Sequence, residues 1–222
     1  MLSPAQYIDH TLLKADATAA DIARLCEEAV EFGFASVCVP PRFAAMAAGM
    51  VYGSEVAAGT VVGFPFGYEP TAVKVFQARS AVRAGADEID MVIFLGAARE
   101  GLFDEVADDV RAVVDAAEGV PVKAIIECCM FDAACQGQLV EAAVAGGAAF
   151  VKTSTGCAAS GATVADVRTL VEAAAGRVLV KASGGIRDWP FCCELLAAGA
   201  LRIGTSAGVA ILQQWRKANP PR

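Results

Sequence analysis

Two short apolar runs in this chain each lead into a lysine followed by small residues. One reads Phe150-Val151-Lys152-Thr153-Ser154-Thr155-Gly156, the other Leu179-Val180-Lys181-Ala182-Ser183-Gly184-Gly185. An ammonium inside an apolar strand is costly unless its charge is paired or suppressed. Neighbouring strands lie about 4.8 Å apart, so two lysines placed alike in consecutive units can stand side by side. Each ammonium then disfavours the charged form of the other, which leaves one amine usable as a nucleophile near neutral pH. The chemistry this points to is Schiff-base formation with a carbonyl compound. Asp90 belongs with them. It falls in the middle of the apolar run Glu88-Ile89-Asp90-Met91-Val92-Ile93, where a carboxylate pairs with a lysine or transfers protons.

The elements that must position these groups follow from the apolar pattern. Strand-like runs occur at Ile8–Leu12, Ser36–Pro40, Thr60–Phe64, Glu88–Ile93, Val122–Glu127, Phe150–Ser154, Val178–Ser183 and Leu201–Gly204, with starts 28, 24, 28, 34, 28, 28 and 23 residues apart. Between them lie Ala-rich segments with helical periodicity, such as Ala19–Phe32, Pro70–Ala84, Phe103–Ala117, Ala134–Ala145, Thr163–Ala175 and Asp188–Ala198. Asp16 or Thr18 can cap the first of these and Asp188 the last, and glycines follow several helix ends. Strands alternating with helices at this period predict parallel pairing and a compact (β/α)8 barrel, one domain across residues 1–222. An open doubly wound sheet is the other candidate, but G-x-G-x-x-G is absent after the first strand. The tail Lys217–Arg222 reads as a loose polar end.

In a parallel barrel the site forms at the C-terminal ends of the strands. The last two units end in Ser183-Gly184-Gly185-Ile186-Arg187 and Ile203-Gly204-Thr205-Ser206-Ala207-Gly208. Such turns let backbone N–H groups approach an anion, helped by the helix that follows. Asp9, in the short first strand, either contacts a substrate hydroxyl or has a structural capping role. Phe64-Pro65 shapes a turn near the mouth, and Cys38 reads as a small core residue.

Composition narrows the class further. Of 222 residues 56% are hydrophobic, enough for a sizeable core, and the net charge is −7, which disfavours a general nucleic-acid role. Gly, Pro or charged residues break the apolar stretches before they reach membrane-spanning length. The start of the chain has no basic region leading into an apolar core, so a cytoplasmic protein is expected. The eight cysteines are scattered and His10 is the only histidine. Zinc ligands are therefore poorly supplied, and a reducing compartment fits.

At these residues the chain resembles the 2-deoxyribose-5-phosphate aldolases, class I aldolases of deoxynucleoside breakdown. The matching segments are Asp9-His10-Thr11-Leu12-Leu13, Val62-Gly63-Phe64-Pro65, Ala86-Asp87-Glu88-Ile89-Asp90-Met91-Val92, Phe150 to Gly156, Val180-Lys181-Ala182-Ser183-Gly184-Gly185-Ile186-Arg187 and Arg202-Ile203-Gly204-Thr205-Ser206. They run in order across nearly the whole chain. The resemblance implies a barrel that needs no metal or organic cofactor and reversibly cleaves 2-deoxy-D-ribose 5-phosphate to acetaldehyde and D-glyceraldehyde 3-phosphate. Lys152 matches the Schiff-base lysine, Lys181 the lysine that lowers its pKa, and Asp90 the proton-relay acid/base. Gly156, Gly184, Gly185, Gly204 and Ser206 fall where the family holds phosphate. The partner is a small aldehyde or sugar phosphate, and a homodimer or larger homo-oligomer is implied.

Four positions depart from the family pattern. Phe94 and Leu201 stand where polar residues are usual, Cys128 stands for Thr, and Cys157 stands for an aromatic residue or Lys. By period-two alternation Phe94 shares a side with Asp90. The C-terminal tyrosine of several members is also absent. These changes raise a second expectation, an apolar mouth in a diverged or engineered enzyme. Such an enzyme would use the same lysine for aldol or Michael-type bond formation on non-phosphorylated aldehydes. Two other classes share the features: a barrel that only binds sugar phosphates, and a transaldolase-like Schiff-base enzyme.

Overall fold

A computed structural model of the protein describes residues 3–220. Its strands are β1 (Ile8–Thr11), β2 (Ser36–Val39), β3 (Ala57–Val62), β4 (Glu88–Val92), β5 (Val122–Ile125), β6 (Phe150–Lys152), β7 (Leu179–Ser183) and β8 (Arg202–Thr205). Its helices are α1 (Ala19–Phe32), α2 (Ala44–Val51), α3 (Thr71–Arg83), α4 (Leu95–Glu100), α5 (Phe103–Ala116), α6 (Ala133–Ala145), α7 (Val164–Ala174), α8 (Trp189–Ala197) and α9 (Gly208–Ala218). Each strand pairs in parallel with the next, and β8 closes on β1 with Gly204 opposite Asp9. The (β/α)8 barrel expected from the spacing is the observed architecture.

Local chemistry explains the boundaries. Thr18 and Asp21 form a reciprocal capping box at the start of α1, so Thr18 rather than Asp16 is the cap. Ile22, Leu25, Cys26 and Ala29 then repeat at helical spacing and bury one face. Most strands end before the apolar runs that announce them. β3 differs most, starting at Ala57 rather than Thr60 and ending at Val62 rather than Phe64. Gly63 takes a φ of +61° and donates its N–H to the Gln77 side chain at 2.7 Å, so the ladder stops there. The expected loose tail is partly helical: α9 continues through Lys217 to Ala218, with Arg216 and Lys217 in its last turn, where the helix dipole favours cations. Residues 221–222 of that tail lie outside the described residues.

The apolar core lies between the strands and the helices. On β4, Ile89 and Met91 join that core, whereas Glu88 and Asp90 reach across the barrel to side chains of other strands. This is the period-two alternation of a strand with two different environments on its faces. The barrel interior, which in such folds is filled mainly by branched apolar side chains, here contains the buried ionic residues Asp9, Asp90, Lys123 and Lys181. A separate buried pair joins α3 to α5. Lys74 Nζ lies 2.6 Å from Asp109 and also donates to the Val92 carbonyl at 3.0 Å.

Candidate active site

A cavity of about 960 Å³ opens at the C-terminal end of the barrel. Its wall includes Gly156 after β6, Gly184 and Gly185 after β7, and Gly204 and Ser206 at the end of β8, with Phe64 and Pro65 also lining it. Lys14, Arg42 and Arg187 line it too. A chain of net charge −7 thus gathers cations at one opening, which favours an anionic small molecule there. Lys14 and Arg42 carry no motif of their own, and sequence reasoning missed them. A second hollow of about 560 Å³, beside the end of α2, is lined mainly by small residues together with Tyr52 and Asp87. Asp87 is already engaged there by the Ala58 N–H.

Lys152, the last residue of β6, reaches the large cavity although it is only 3% exposed. It sits in register with Lys181 of β7, as the two runs predict. The amines do more than lie side by side: both donate to one oxygen of Asp90, Lys152 at 2.7 Å and Lys181 at 2.6 Å. Lys123 holds the other Asp90 oxygen at 3.1 Å and Glu88 at 2.5 Å. Asp9 pairs with Lys181 and, through its other oxygen, accepts from Arg202 Nε at 2.5 Å. Arg202 also forks onto Glu88 at 2.7 and 2.8 Å.

The lining of the cavity includes Lys152 but none of Asp90, Lys181 or Asp9. Of the two readings of Asp9, contact with a substrate hydroxyl or a structural place, its surroundings favour the second. Its carboxylate is fully buried among Lys181, Lys123 and Arg202. The participation of Lys123, Glu88 and Arg202 was also missed. A signal for Lys123 was present, because Pro121-Val122-Lys123-Ala124-Ile125 is a third apolar run holding a single lysine.

Burial sets the acid–base state of these groups first, and their partners then divide them. Burial pushes the Lys152 ammonium below its usual pKa; Asp90 opposes this, and Lys181 adds to the lowering. Burial works against the charge on Lys181 as well, but Asp9 and Asp90 outweigh it and hold that amine above its usual value. Lys123 is likewise raised overall, against its burial, by Asp90, Asp9 and Glu88. Burial would raise Asp90, yet Lys123, Lys152 and Lys181 hold it well below the usual carboxylate range. The arrangement is one amine biased to neutrality beside an ionised carboxylate. Cys38 is buried nearby, and burial pushes its thiol up to about 11, with Asp90 adding to the shift. It remains protonated at neutral pH and is a poor nucleophile there.

The loops above are fixed by short-range bonds. Glu127, buried and in left-handed backbone at a φ of +52°, accepts the Thr155 hydroxyl at 2.5 Å and its N–H at 3.2 Å. The Thr155 oxygen in turn accepts the Cys157 N–H at 3.0 Å. Gly161 packs against Gly184 so closely that a Cβ on Gly161 would fall 2.1 Å from the Gly184 carbonyl oxygen. The β6 and β7 loops therefore meet backbone to backbone.

The expected apolar mouth does not form from the four departures. β4 ends at Val92, so alternation no longer carries Phe94 to the side of Asp90, and Phe94 packs on the helix-side core. Cys128 is buried in that core, and Leu201 is exposed just before the first residue of β8, at the opposite end of the barrel. Of the four, Cys157 alone lines the cavity.

A parallel barrel with a buried lysine amine at the C-terminal mouth, a carboxylate against it and a cationic rim has the makings of a lysine-dependent carbonyl enzyme. Comparison with known proteins agrees. The model of the DeoC/LacD family of aldolases matches residues 4–214. A deoxyribose-phosphate aldolase of Syntrophotalea carbinolica is 58% identical over 218 residues, covering 98% of this chain and 99% of that protein. The structure of the aldolase QR15 superposes with a TM-score of 0.94 at 35% identity, covering 100% of each chain. The tetrameric deoxyribose phosphate aldolase of Aeropyrum pernix superposes with a TM-score of 0.89 at 34% identity, covering 96% of this chain and 91% of that one. The chain belongs to the DeoC/LacD family of aldolases and is a lyase acting on small molecules. Among the described residues no helix is long and apolar enough to cross a membrane.

Proposed function

We propose that this chain, as one barrel domain, reversibly cleaves 2-deoxy-D-ribose 5-phosphate to acetaldehyde and D-glyceraldehyde 3-phosphate through an imine on Lys152. The observation that carries this reading is the shared Asp90 oxygen, 2.7 Å from Lys152 Nζ and 2.6 Å from Lys181 Nζ, beneath the cavity. Neutral Lys152 attacks the C1 aldehyde carbon of the open-chain sugar. The carbinolamine loses water and becomes an iminium ion. As the C3 hydroxyl gives its proton, through a bridging water, to the ionised Asp90, the C2–C3 bond breaks and its electron pair moves toward the iminium nitrogen. D-glyceraldehyde 3-phosphate departs and an enamine of acetaldehyde remains. Protonation of the enamine carbon regenerates an iminium, and water releases acetaldehyde and the free amine.

In this reading Asp90 exchanges the proton at the enamine carbon, and Lys181 stays charged and restrains protonation of Lys152. Gly156, Gly184, Gly185, Gly204 and Ser206 receive the phosphate, with Arg187 close by in the chain. The iminium serves as the electron sink, so the cycle uses neither metal nor organic cofactor. The names of the relatives and the cationic rim support the phosphorylated substrate over an apolar aldehyde.

Borohydride trapping with acetaldehyde, followed by peptide mass spectrometry, tests the reading. A reduced two-carbon adduct on Lys152, lost in Lys152→Ala together with cleavage, is expected. Cleavage without any adduct on Lys152 would overturn it.

We infer further that the enzyme is cytoplasmic and works as a homodimer or larger assembly. The tetrameric A. pernix relative supports association. So do the exposed aromatic residues Phe66 and Tyr68, stacked at 5.2 Å, and Phe76 on α3.

A further inference from the structure

The buried ions beneath Lys152 do not balance. Three carboxylates, Asp9, Glu88 and Asp90, face four cations, Lys123, Lys152, Lys181 and Arg202. With every group ionised the network carries one surplus positive charge in a low-dielectric interior, where uncompensated charge is expensive. Losing one proton restores neutrality, and the contacts say where that proton is lost. Arg202 cannot give one up. Lys181 lies against both Asp9 and Asp90, and Lys123 reaches Glu88, Asp90 and Asp9. Lys152 has Asp90 alone and shares that oxygen with Lys181. It is the least compensated amine, and it is the one at the cavity.

Lys123 supplies the surplus. It is 1% exposed, its ammonium lies 5.9 Å from the centre of the Phe150 ring, and it is not among the residues lining the cavity. Without its charge the network counts three of each sign, and Lys152 becomes the cation that completes the balance. We propose that Lys123 is a positioning residue that keeps the Lys152 amine neutral from the far side of Asp90, through the charge balance of the whole network rather than by contact with substrate. The remaining strands do not alter the count. β2 brings the protonated thiol of Cys38 against the network, and β3 has no titratable side chain. In β1, His10 is tied to Glu28 at 2.7 Å.

This inference rests on Lys152 being the imine-forming residue, and the test separates the two. Full-length enzyme is treated with acetaldehyde and cyanoborohydride across a pH series. The rate of adduct formation on Lys152 is followed by peptide mass spectrometry, alongside kcat/KM for 2-deoxyribose 5-phosphate. In Lys123→Met the midpoint of the acid limb should rise by about one to two pH units, the usual effect of one charge a few ångströms away. Below the midpoint that is about a 10- to 100-fold loss of reactive amine. Glu88→Gln should move the midpoint down. The double variant restores a surplus of one and should return the midpoint to its wild-type position, as should Lys123→Arg alone. A merely structural role for Lys123 would lower stability in Lys123→Met without this opposed pair of shifts. If Lys123→Met does not fold, Glu88→Gln and the double variant still decide the matter. Unmoved midpoints in the variants that fold would overturn the proposal. A wild-type enzyme with no adduct on Lys152 would instead overturn the assignment of the imine.

Discussion

Replacing Asp90 by Asn removes the charge on which three lysine amines converge while keeping the shape of the side chain. Removing one partner of a buried ion pair costs about 3–5 kcal/mol. Lys152 is already the neutral amine and has no proton to shed, so the full range applies, about 3–5 kcal/mol, with a Tm about 6–20 °C lower for a chain of this size. The chemical effect is larger. Loss of a positioned acid/base typically slows turnover by about 10²–10⁴, whereas imine formation should survive. Asp90 is the group opposing the neutral form of Lys152, so its loss lowers that pKa further and extends trapping to lower pH. The assay is exchange of the acetaldehyde methyl protons into deuterated water, followed by NMR, with adduct formation measured in parallel. Lost exchange with retained adduct is the expected pattern. Methyl exchange at the wild-type rate in Asp90→Asn would refute the reasoning. Acid unfolding gives a second readout. Asp90 is held well below its ordinary pKa, so the stability it contributes is present above the unfolded carboxylate value and is lost as pH falls toward the folded one. Asp90→Asn should flatten that part of the pH–stability curve.

Gly161→Ala places a methyl group against the Gly184 carbonyl. It should raise KM for 2-deoxyribose 5-phosphate while leaving the trapping of unphosphorylated acetaldehyde on Lys152 intact; an unchanged KM in steady-state kinetics would count against the loop contact. Lys74→Met leaves Asp109 buried beside Thr71 without its cation. Urea titration should show a loss of about 3–5 kcal/mol, much of it recovered in the double variant Lys74→Met/Asp109→Leu, because an apolar replacement of a whole buried pair is often nearly neutral.

The barrel was legible because strand and helix signals alternate at intervals that only parallel pairing accommodates. Lys152, Lys181 and Asp90 were legible because a charge in an apolar strand violates local preference and demands a partner. What stayed hidden depends on closure. Asp9 is open to two readings in the sequence because its partners Lys181 and Arg202 arrive from the other end of the chain. Lys123 carries the same signature as Lys152 and Lys181, but no glycine-rich turn follows it to mark a site. Glu88 and Arg202 stand at strand starts, where charges are ordinary, and only their inward direction makes them part of the network. Phe94 misled because alternation was carried two residues past the true end of β4.

The ionic interior has a consequence for how the chain reaches its native state. Its members come from β1, β4, β5, β6, β7 and β8, and the Asp9–Arg202 bond spans 193 residues of sequence. A partly assembled barrel would bury some of these charges before their partners arrive, at a cost that only the last closure removes. Strand slippage meets the same obstacle, since a one-residue shift would turn the ions of β4 toward the apolar helices and its Ile89 and Met91 toward the ions. The network therefore acts as a register lock that disfavours slipped or half-closed barrels, joining the last strand to the first by charge as well as by backbone pairing.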